Sequence, residues 1–250
     1  MMEIFFLGTG TSIPHQEHSP AGLAIRATRC TLLFDIGPGT LGRLQAAGIH
    51  YSEIDQLLLT HLHPDHTLDL ATLLLAFNYA PGAERTAPFH LTGGRDLAAF
   101  LERLINLYPE VAPVSFELEQ QQVYRDEWSI DGLQLRSAPT AHTSDSVGYL
   151  VDDGQHTIVY SGDATPRGEL AQLAAGVDLL ITECSFPSGW QTEDHLNADT
   201  VGAIARQAAV KSLMITHCYP PALAVDLVEQ IHQHYRGEVR LAHDGLRIAL

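Results

Sequence analysis

The sequence predicts a mixed fold of the α/β (α+β) class, and two patterns indicate it. Short apolar runs of strand length alternate with longer segments whose apolar residues recur at helical spacing. Other stretches have the alternation of antiparallel strands joined by polar turns. The chain has 250 residues, of which 45% are hydrophobic, and this is enough to bury a large core. Since no linker interrupts the pattern, we expect one domain over residues 1–250.

The first half of the chain is predicted to begin with antiparallel strands and to continue with alternating strands and helices. The predicted elements are antiparallel strands at residues 2–7 and 24–34, a buried strand at 57–59, and helices at 67–79 and 94–108. Between the two helices, Pro81, Gly82 and Pro88 interrupt regular structure. We therefore expect an ordered loop over residues 78–92, beside the cluster of histidines at residues 61–66 that follows the buried strand.

The second half is predicted to follow the same alternation. Its elements are antiparallel strands within residues 129–137, strands at 157–160, 177–182 and 211–216, and helices at 168–175, 198–209 and 221–235. Three of these strands end in an acid or a histidine, namely Asp163, Glu183 and His217. Because the earlier leucine strand ends at His61 in the same way, we expect the chemistry of this protein to lie at strand ends.

Charge and composition exclude several classes of function. Fourteen Lys plus Arg against 30 Asp plus Glu give a net charge of −16, so the electrostatic footprint of a general nucleic-acid binder is missing. No apolar stretch reaches the roughly 18 residues that a membrane span needs. Three cysteines without paired spacing argue against a disulfide framework. A soluble cytoplasmic protein with no membrane partner is expected.

The densest chemical pattern is His61-x-His63-x-Asp65-His66, which follows the leucine strand. His61 and His63 point to the same side of an extended chain, so one metal ion can bind both imidazoles. Asp65 and His66 follow the turn at Pro64 and face a second position. The alternative is a polar loop with surface histidines, but this density of ligand-type side chains favours a metal site.

Two glycine-containing motifs precede the histidine cluster and carry a family resemblance. They are Phe-Leu-Gly-Thr-Gly-Thr-Ser-Ile-Pro at residues 6–14 and Phe-Asp-Ile-Gly-Pro-Gly-Thr at residues 34–40. With the cluster, they make the chain resemble the metallo-β-lactamase superfamily over nearly its whole length, and within it the short ribonuclease Z-like phosphodiesterases. The resemblance implies a four-layer αββα sandwich, with two mixed sheets face to face, helices outside and metals at one edge.

The resemblance also implies a set of ligands for two divalent metal ions. These are His61, His63 and His142 at the first ion, Asp65, His66 and His217 at the second, and Asp163 bridging the two. Read alone, His142 could be a loop histidine, Asp163 a turn residue and His217 a cap at a strand end. Their order after the histidine cluster favours the ligand role.

Two such ions explain how water could become the nucleophile. Cations about 3.5–4 Å apart lower the pKa of a shared water, so a metal-bridging hydroxide can attack a substrate at neutral pH. Imidazole and carboxylate ligands without thiolate suit zinc, manganese or iron, and we expect zinc, with manganese or iron as alternatives. Asp65 is expected to serve catalysis as well as metal binding.

Glu183 and His195 resemble a pair that lies outside the metal ligands in the same branch, where the histidine faces the scissile phosphate. A protonated His195 would neutralise the developing oxyanion or protonate the leaving oxygen, and Glu183 would keep it charged. The alternative is that His195 merely precedes a helix cap at Asn197.

Two further aspartates each have two interpretations. Asp35 either orients a ligand histidine by accepting its second N–H or is a turn acid before Gly37. Asp244 either resembles an aspartate that lies near the site in the relatives or belongs to a hairpin turn.

The expected substrate follows from what the chain lacks. Ribonuclease Z proper carries a long basic arm that grips transfer RNA, whereas only 20 residues separate His142 from Asp163 here. Binding of a folded RNA would lack its main electrostatic contact. We therefore predict a metal-dependent hydrolase, most simply a phosphodiesterase acting on a small or cyclic phosphodiester.

Two alternative functions stay open. They are tRNA 3′ processing of the ribonuclease Z type and a metal-binding scaffold or sensor without catalysis. The leucine-rich helix at residues 67–79 can bury either a homodimer interface or an ordinary core face.

Overall fold

Two seven-stranded mixed sheets pack face to face in the computed structural model, which describes residues 2–82 and 84–250. In pairing order, the first sheet contains β14 (Arg247–Ala249), β1 (Glu3–Gly8), β2 (Gly22–Arg26), β3 (Thr31–Phe34), β4 (Gln56–Leu58), β5 (Phe89–Gly93) and β6 (Leu118–Gln122). The second contains β13 (Glu238–Leu241), β12 (Ser212–Thr216), β11 (Leu179–Glu183), β10 (Thr157–Tyr160), β9 (Val147–Asp152), β8 (Leu133–Pro139) and β7 (Glu127–Ile130).

Each sheet has a parallel part and an antiparallel part. Strands β3 to β6 run parallel in the first sheet, and β10 to β13 run parallel in the second. Because the carboxyl ends of parallel strands meet at one edge of a sheet, the residues that follow β4, β10, β11 and β12 come together. This is the edge at which the sequence predicts the chemistry.

Most of the helices cover the outer faces of the two sheets. Among the described residues the helices are α1 (Thr40–Ala46), α2 (Pro64–Thr67), α3 (Asp69–Tyr79), α4 (Leu97–Leu107), α5 (Leu170–Leu173), α6 (Ala198–Ala208), α7 (Pro220–Leu223) and α8 (Leu227–His232), of which α2 lies at one edge. None of them is long and apolar enough to cross a membrane.

Three apolar layers hold these elements together. The middle layer joins the two sheets and contains Phe34 from the first and Tyr149 from the second, with ring centroids 5.9 Å apart. One outer layer packs α3 and α4 on the first sheet through residues such as Phe77 and Leu101. The other packs α6 and α8 on the second sheet. The predicted αββα sandwich is therefore confirmed.

Two predicted elements differ from the structure. The helix expected over residues 221–235 is divided into α7 and α8, because the side chain of Asp226 accepts a hydrogen bond from the Glu229 N–H at 2.9 Å and starts a new helix. The loop expected over residues 78–92 is shorter than predicted, since α3 continues to Tyr79 and β5 begins at Phe89.

The remaining loop also lies elsewhere than expected. The guanidinium of Arg85 donates to the Ile54 carbonyl at 3.0 Å, and its Cζ atom lies 4.8 Å from the Phe77 ring centroid. Ile54 precedes β4, whereas His61 follows it. The loop is thus anchored at the end of the sheet opposite the histidine cluster.

Candidate metal centre

All seven predicted ligands meet at one edge of the sandwich. His61 and His63 follow β4, Asp65 and His66 lie in α2, and His142, Asp163 and His217 follow β8, β10 and β12. The ligand atoms of His61, His63, His142 and Asp163 lie within 4.8 Å of one another, and so do those of Asp65, His66 and His217. The structure therefore forms two adjacent groups of donor atoms from distant parts of the chain.

The carboxylate of Asp163 lies between the two groups. Its Oδ2 atom is 3.8 Å from His61 Nε2 and 3.6 Å from His142 Nε2. Its Oδ1 atom is 3.4 Å from both His66 Nε2 and His217 Nε2. One carboxylate oxygen faces each group, which is the arrangement that a bridging ligand requires.

The other distances complete each group. His63 Nδ1 lies 3.0 Å from His61 Nε2 and 3.2 Å from His142 Nε2. On the second side, Asp65 Oδ2 is 3.5 Å from His217 Nε2 and 3.9 Å from His66 Nε2. Three ring nitrogens thus converge at the first position, and two imidazoles with a carboxylate converge at the second.

The hydrogen bonding of three of these converging atoms indicates whether the residues fit a cation. His66 Nε2, His217 Nε2 and Asp163 Oδ1 are buried and make no hydrogen bond of ordinary geometry. Buried polar groups are normally satisfied, so unpartnered atoms that aim at one point suit a positively charged ligand. The imidazole and carboxylate donor set, which has no thiolate, suits divalent zinc, manganese or iron. The residues therefore fit two divalent cations, without selecting the element.

Asp35 fixes the orientation of the buried histidines. His66 Nδ1 donates to Asp35 Oδ2 at 2.8 Å, which leaves Nε2 for the centre. Thr60 Oγ1 contacts the same carboxylate at 2.9 Å and lies 3.1 Å from His61 Nδ1. Asp35 has φ 55°, a conformation that is unusual for a residue with a side chain. The hydrogen bond between Asp35 and His66 is the one expected if Asp35 orients a ligand histidine.

A backbone carbonyl holds the His142 imidazole of the first group. His142 Nδ1 donates to the Asp194 carbonyl at 2.6 Å, which directs Nε2 toward the centre. In the second group, His217 Nδ1 lies 3.4 Å from Ser185 Oγ. Sequence reasoning missed both partners, because a backbone carbonyl and a lone serine carry no distinctive pattern.

The turn before Asp163 requires glycine. Gly162 has φ 56°, and a Cβ atom there would lie 2.4 Å from Thr60 Cβ. Thr60 is the residue that connects Asp35 to His61, so a larger side chain at position 162 would displace both sides of the site. The Ser161-Gly162 turn thus allows Asp163 to approach the histidine cluster.

Asp244 supports the centre indirectly, through the loop that contains Thr9. It accepts hydrogen bonds from the Thr9 N–H at 2.9 Å and the Ser19 N–H at 2.9 Å, and pairs with Arg43 at 3.3 Å. The Thr9 carbonyl in turn accepts the His217 N–H at 2.8 Å. Asp244 thus lies in the turn before β14 and holds the loop that anchors the backbone of a ligand histidine.

Protonation in this cluster follows burial and the neighbouring charges. Burial, together with the charge of His66, holds the pKa of His61 well below its ordinary value, so the His61 imidazole is neutral. The charges of His217 and His66 hold the pKa of Asp163 well below its usual range, although burial alone would raise it. Burial also opposes the lowered pKa of Asp65, which results from the neighbouring imidazoles of His217 and His66.

Glu183 and His195 form a hydrogen-bonded pair beside this centre. Glu183 lies at the end of β11, fully buried, and its Oε1 atom accepts from the Ala164 N–H at 2.7 Å and lies 3.2 Å from His195 Nδ1. Burial would lower the pKa of His195, but the hydrogen bond and charge of Glu183 raise it to about 9. His195 Nδ1 is 3.8 Å from Asp163 Oδ2. An imidazolium is therefore held next to the donor groups.

The centre opens to solvent on one side. His61 and His66 are buried, whereas His63 is exposed and His142 and His195 are half-buried. A substrate can therefore approach past these last three histidines. His195 lies on this open side of the centre.

The fold and the donor set define a class of protein, and comparison with known families identifies it. The sequence profile of the metallo-β-lactamase superfamily matches residues 22–207. The chain therefore belongs to the metallo-β-lactamase superfamily. Family and donor set together support a metal-dependent hydrolase.

Individual relatives agree with the predicted branch. Ribonuclease Z of Mycobacterium bovis (strain BCG / Pasteur 1173P2) is 27% identical over 277 aligned positions, which cover 99% of this chain and 98% of the relative. Ribonuclease Z of Mycobacterium avium (strain 104) is 28% identical with the same coverage. The resemblance to the ribonuclease Z-like branch is thus confirmed.

Solved structures show the same fold. YhfI from Bacillus subtilis, a metallo-beta-lactamase fold protein, superposes with a TM-score of 0.85 at 22% identity, covering 99% of this chain and 98% of that one. The short form of human tRNase Z has a TM-score of 0.79 at 21% identity, with the same coverage.

Proposed function

We propose that this protein is a binuclear metal-dependent phosphodiesterase that cleaves a small or cyclic phosphodiester. The observation that carries the proposal is the position of Asp163, whose two oxygens face separate groups of imidazoles at 3.4–3.8 Å. A carboxylate in that position suits two cations side by side. Such a pair suits in-line displacement at phosphorus.

Each ligand has a definite place in this proposal. His61, His63 and His142 would hold the first cation, Asp65, His66 and His217 the second, and Asp163 both. Two cations bound there would lower the pKa of water and polarise a phosphoryl oxygen. Asp35 and the Asp194 carbonyl would keep the ring nitrogens directed at the cations through the hydrogen bonds described above.

His195 would act on the leaving group. Its Nδ1 atom is paired with Glu183, so the proton on its other ring nitrogen is available to a bound phosphodiester. Donation of that proton to the leaving oxygen would avoid the release of an alkoxide. Glu183 is a positioning residue in this scheme, since it holds the charge and direction of the imidazole.

The small size of the proposed substrate rests on the segment between His142 and Asp163. That segment consists of β9, β10 and a short turn, and the end of the hairpin carries Asp152 and Asp153 rather than basic residues. The whole chain has a net charge of −16. Both features disfavour a long polyanion and leave a small diester, whose charge the cations would neutralise.

A second candidate is tRNA 3′ processing, and the similarity to proteins named ribonuclease Z over 99% of the chain favours it. A metal-binding scaffold or sensor without catalysis is the third. One assay separates the three, in which zinc- or manganese-loaded protein is incubated with bis(p-nitrophenyl) phosphate, a 2′,3′-cyclic mononucleotide and a 3′-extended tRNA precursor. The proposal predicts turnover of the small diesters and none of the precursor. Cleavage of the precursor alone would favour the second function, and no cleavage at full metal occupancy would favour the third.

A further inference from the structure

Three aromatic side chains outside the donor set lie in a parallel arrangement beside the centre. The ring of Phe186 is 5.1 Å from that of Trp190, with 3° between their planes, and 5.2 Å from that of Tyr219, with 10°. We call Phe186, Trp190 and Tyr219 the aromatic platform. None of the three is needed for the ligand or proton-transfer roles described above.

The platform adjoins the residues that face the substrate. The Tyr219 ring lies 5.6 Å from that of His195 and 5.9 Å from that of His217. The Phe186 ring lies 6.1 Å from that of His195. Because Phe186 follows Glu183 by three residues and Tyr219 follows His217 by two, the loops that supply the site also supply the platform. A molecule bound at the centre on the His195 side therefore lies next to Phe186 and Tyr219, and Trp190 extends the stack from Phe186.

Trp190 is the exposed end of the platform, and its loop is held in place. The residue is 43% exposed, although Phe186 stacks on its ring. Its carbonyl accepts a hydrogen bond from Asn197 Nδ2 at 2.8 Å, and the preceding Gly189 N–H donates to Asp199 at 2.8 Å. Gly189 has φ 75°, which glycine adopts without strain. The indole is thus an apolar surface presented to solvent by a fixed backbone.

We propose that the aromatic platform binds the nucleobase of a nucleotide whose phosphate lies at the metal centre. This inference rests on the proposed function, because it is the phosphate that places the base beside Trp190. Every nucleobase has a flat π-face, and stacking on an aromatic side chain is favourable for all of them. The substrate class is then a nucleotide-sized phosphodiester rather than an alkyl one.

The experiment compares a ligand that has a base with one that lacks it. Binding of adenosine 5′-monophosphate and of ribose 5-phosphate to zinc-loaded protein is measured by calorimetry. The platform predicts at least tenfold tighter binding of the nucleotide. In Trp190→Ala the ratio of the two affinities should fall about tenfold, while binding of ribose 5-phosphate stays unchanged. Trp190→Phe should retain most of the preference for the nucleotide. Equal binding of the two ligands, or equal weakening of both in Trp190→Ala, would overturn the inference.

The two tryptophans of the chain provide a matched control and a second readout. Trp128 lies on β7 and packs on Tyr149 in the sheet interface, away from the centre. In Trp128→Phe, Trp190 is the remaining tryptophan, so its fluorescence should be quenched by adenosine 5′-monophosphate and not by ribose 5-phosphate. Unchanged fluorescence at saturating nucleotide would also contradict the platform. Failure of the proposed function would look different, as an absence of phosphodiester cleavage with the Trp190-dependent nucleotide preference intact.

Discussion

His66 Nδ1 donates a hydrogen bond to Asp35 Oδ2 at 2.8 Å, and both groups are buried. Asp35 follows β3 and His66 lies in α2 after β4, 31 positions further along the chain. The same carboxylate accepts a hydrogen bond from the Thr60 N–H at 2.8 Å, next to His61. A single aspartate that belongs to neither donor group therefore orients a histidine in each, directly for His66 and through Thr60 for His61.

The substitution Asp35→Asn should weaken metal binding. It replaces the carboxylate that orients His66, and loss of such a partner typically costs 10- to 100-fold in metal affinity. Competition with a fluorescent zinc chelator measures this change. Asp55→Asn is the matched control, because Asp55 accepts the Thr31 N–H at 2.8 Å in the same sheet but precedes β4. Equal affinities in the two variants would contradict the role of Asp35.

The substitution His195→Ala should separate catalysis from metal binding. A proton donor to the leaving oxygen typically contributes about 10²- to 10⁴-fold, so the turnover of bis(p-nitrophenyl) phosphate should fall within that range. Metal content should stay at two ions per chain. His90→Ala, which removes a half-buried histidine paired with Glu119 on the first sheet, should leave turnover unchanged. Normal turnover in His195→Ala would exclude the leaving-group role.

The pH dependence of kcat should show the effect of Glu183 on His195. The pKa of His195 is raised to about 9, chiefly by Glu183 against the opposing effect of burial. The protonated form is the one that we propose as the proton donor. The rate should therefore fall as pH rises through that value. Glu183→Gln removes the charge that raises the pKa, so its decline should begin at lower pH. If kcat fell by half at the same alkaline pH in the wild type and in Glu183→Gln, a group other than His195 would control the decline.

Removal of metal should lower thermal stability. Cations that bind only the folded chain stabilise it by mass action, by about 2.7 kcal/mol per site at a free concentration 100 times the dissociation constant. Calorimetric unfolding after dialysis against a chelator, with and without added zinc, measures the difference in Tm. Asp163→Asn should show a smaller zinc-dependent rise, because the shared ligand is lost. The same Tm with and without zinc would argue against structured cation sites in the native protein.

The sequence predicts best what depends on neighbouring residues. The cluster at residues 61–66 is visible because its ligands follow one another within a strand end and a single turn. His142, Asp163 and His217 are separated by long intervals, and only the order of motifs known from a family connects them. The structure brings them together because β8, β10 and β12 end at the same edge of the sandwich as β4.

What the sequence does not predict depends on tertiary contacts. The helix at residues 221–235 is interrupted because Asp226 caps a new helix, although the apolar spacing continues through it. Likewise, the sequence does not indicate β5, because the prolines that precede it predict a loop. The stacking of Phe186 on Trp190 and Tyr219 joins two loops, so no local pattern indicates it.

The central claim is that two cations share Asp163. Elemental analysis of purified protein, after saturation with zinc and removal of unbound ions, tests it most directly when combined with the variants His63→Ala and His217→Ala. The account predicts two ions per chain in the wild type and about one in each variant. His63→Ala removes a ligand of the first cation, and His217→Ala removes a ligand of the second. Wild-type protein that is folded and yet retains no ion, or only one, would contradict it.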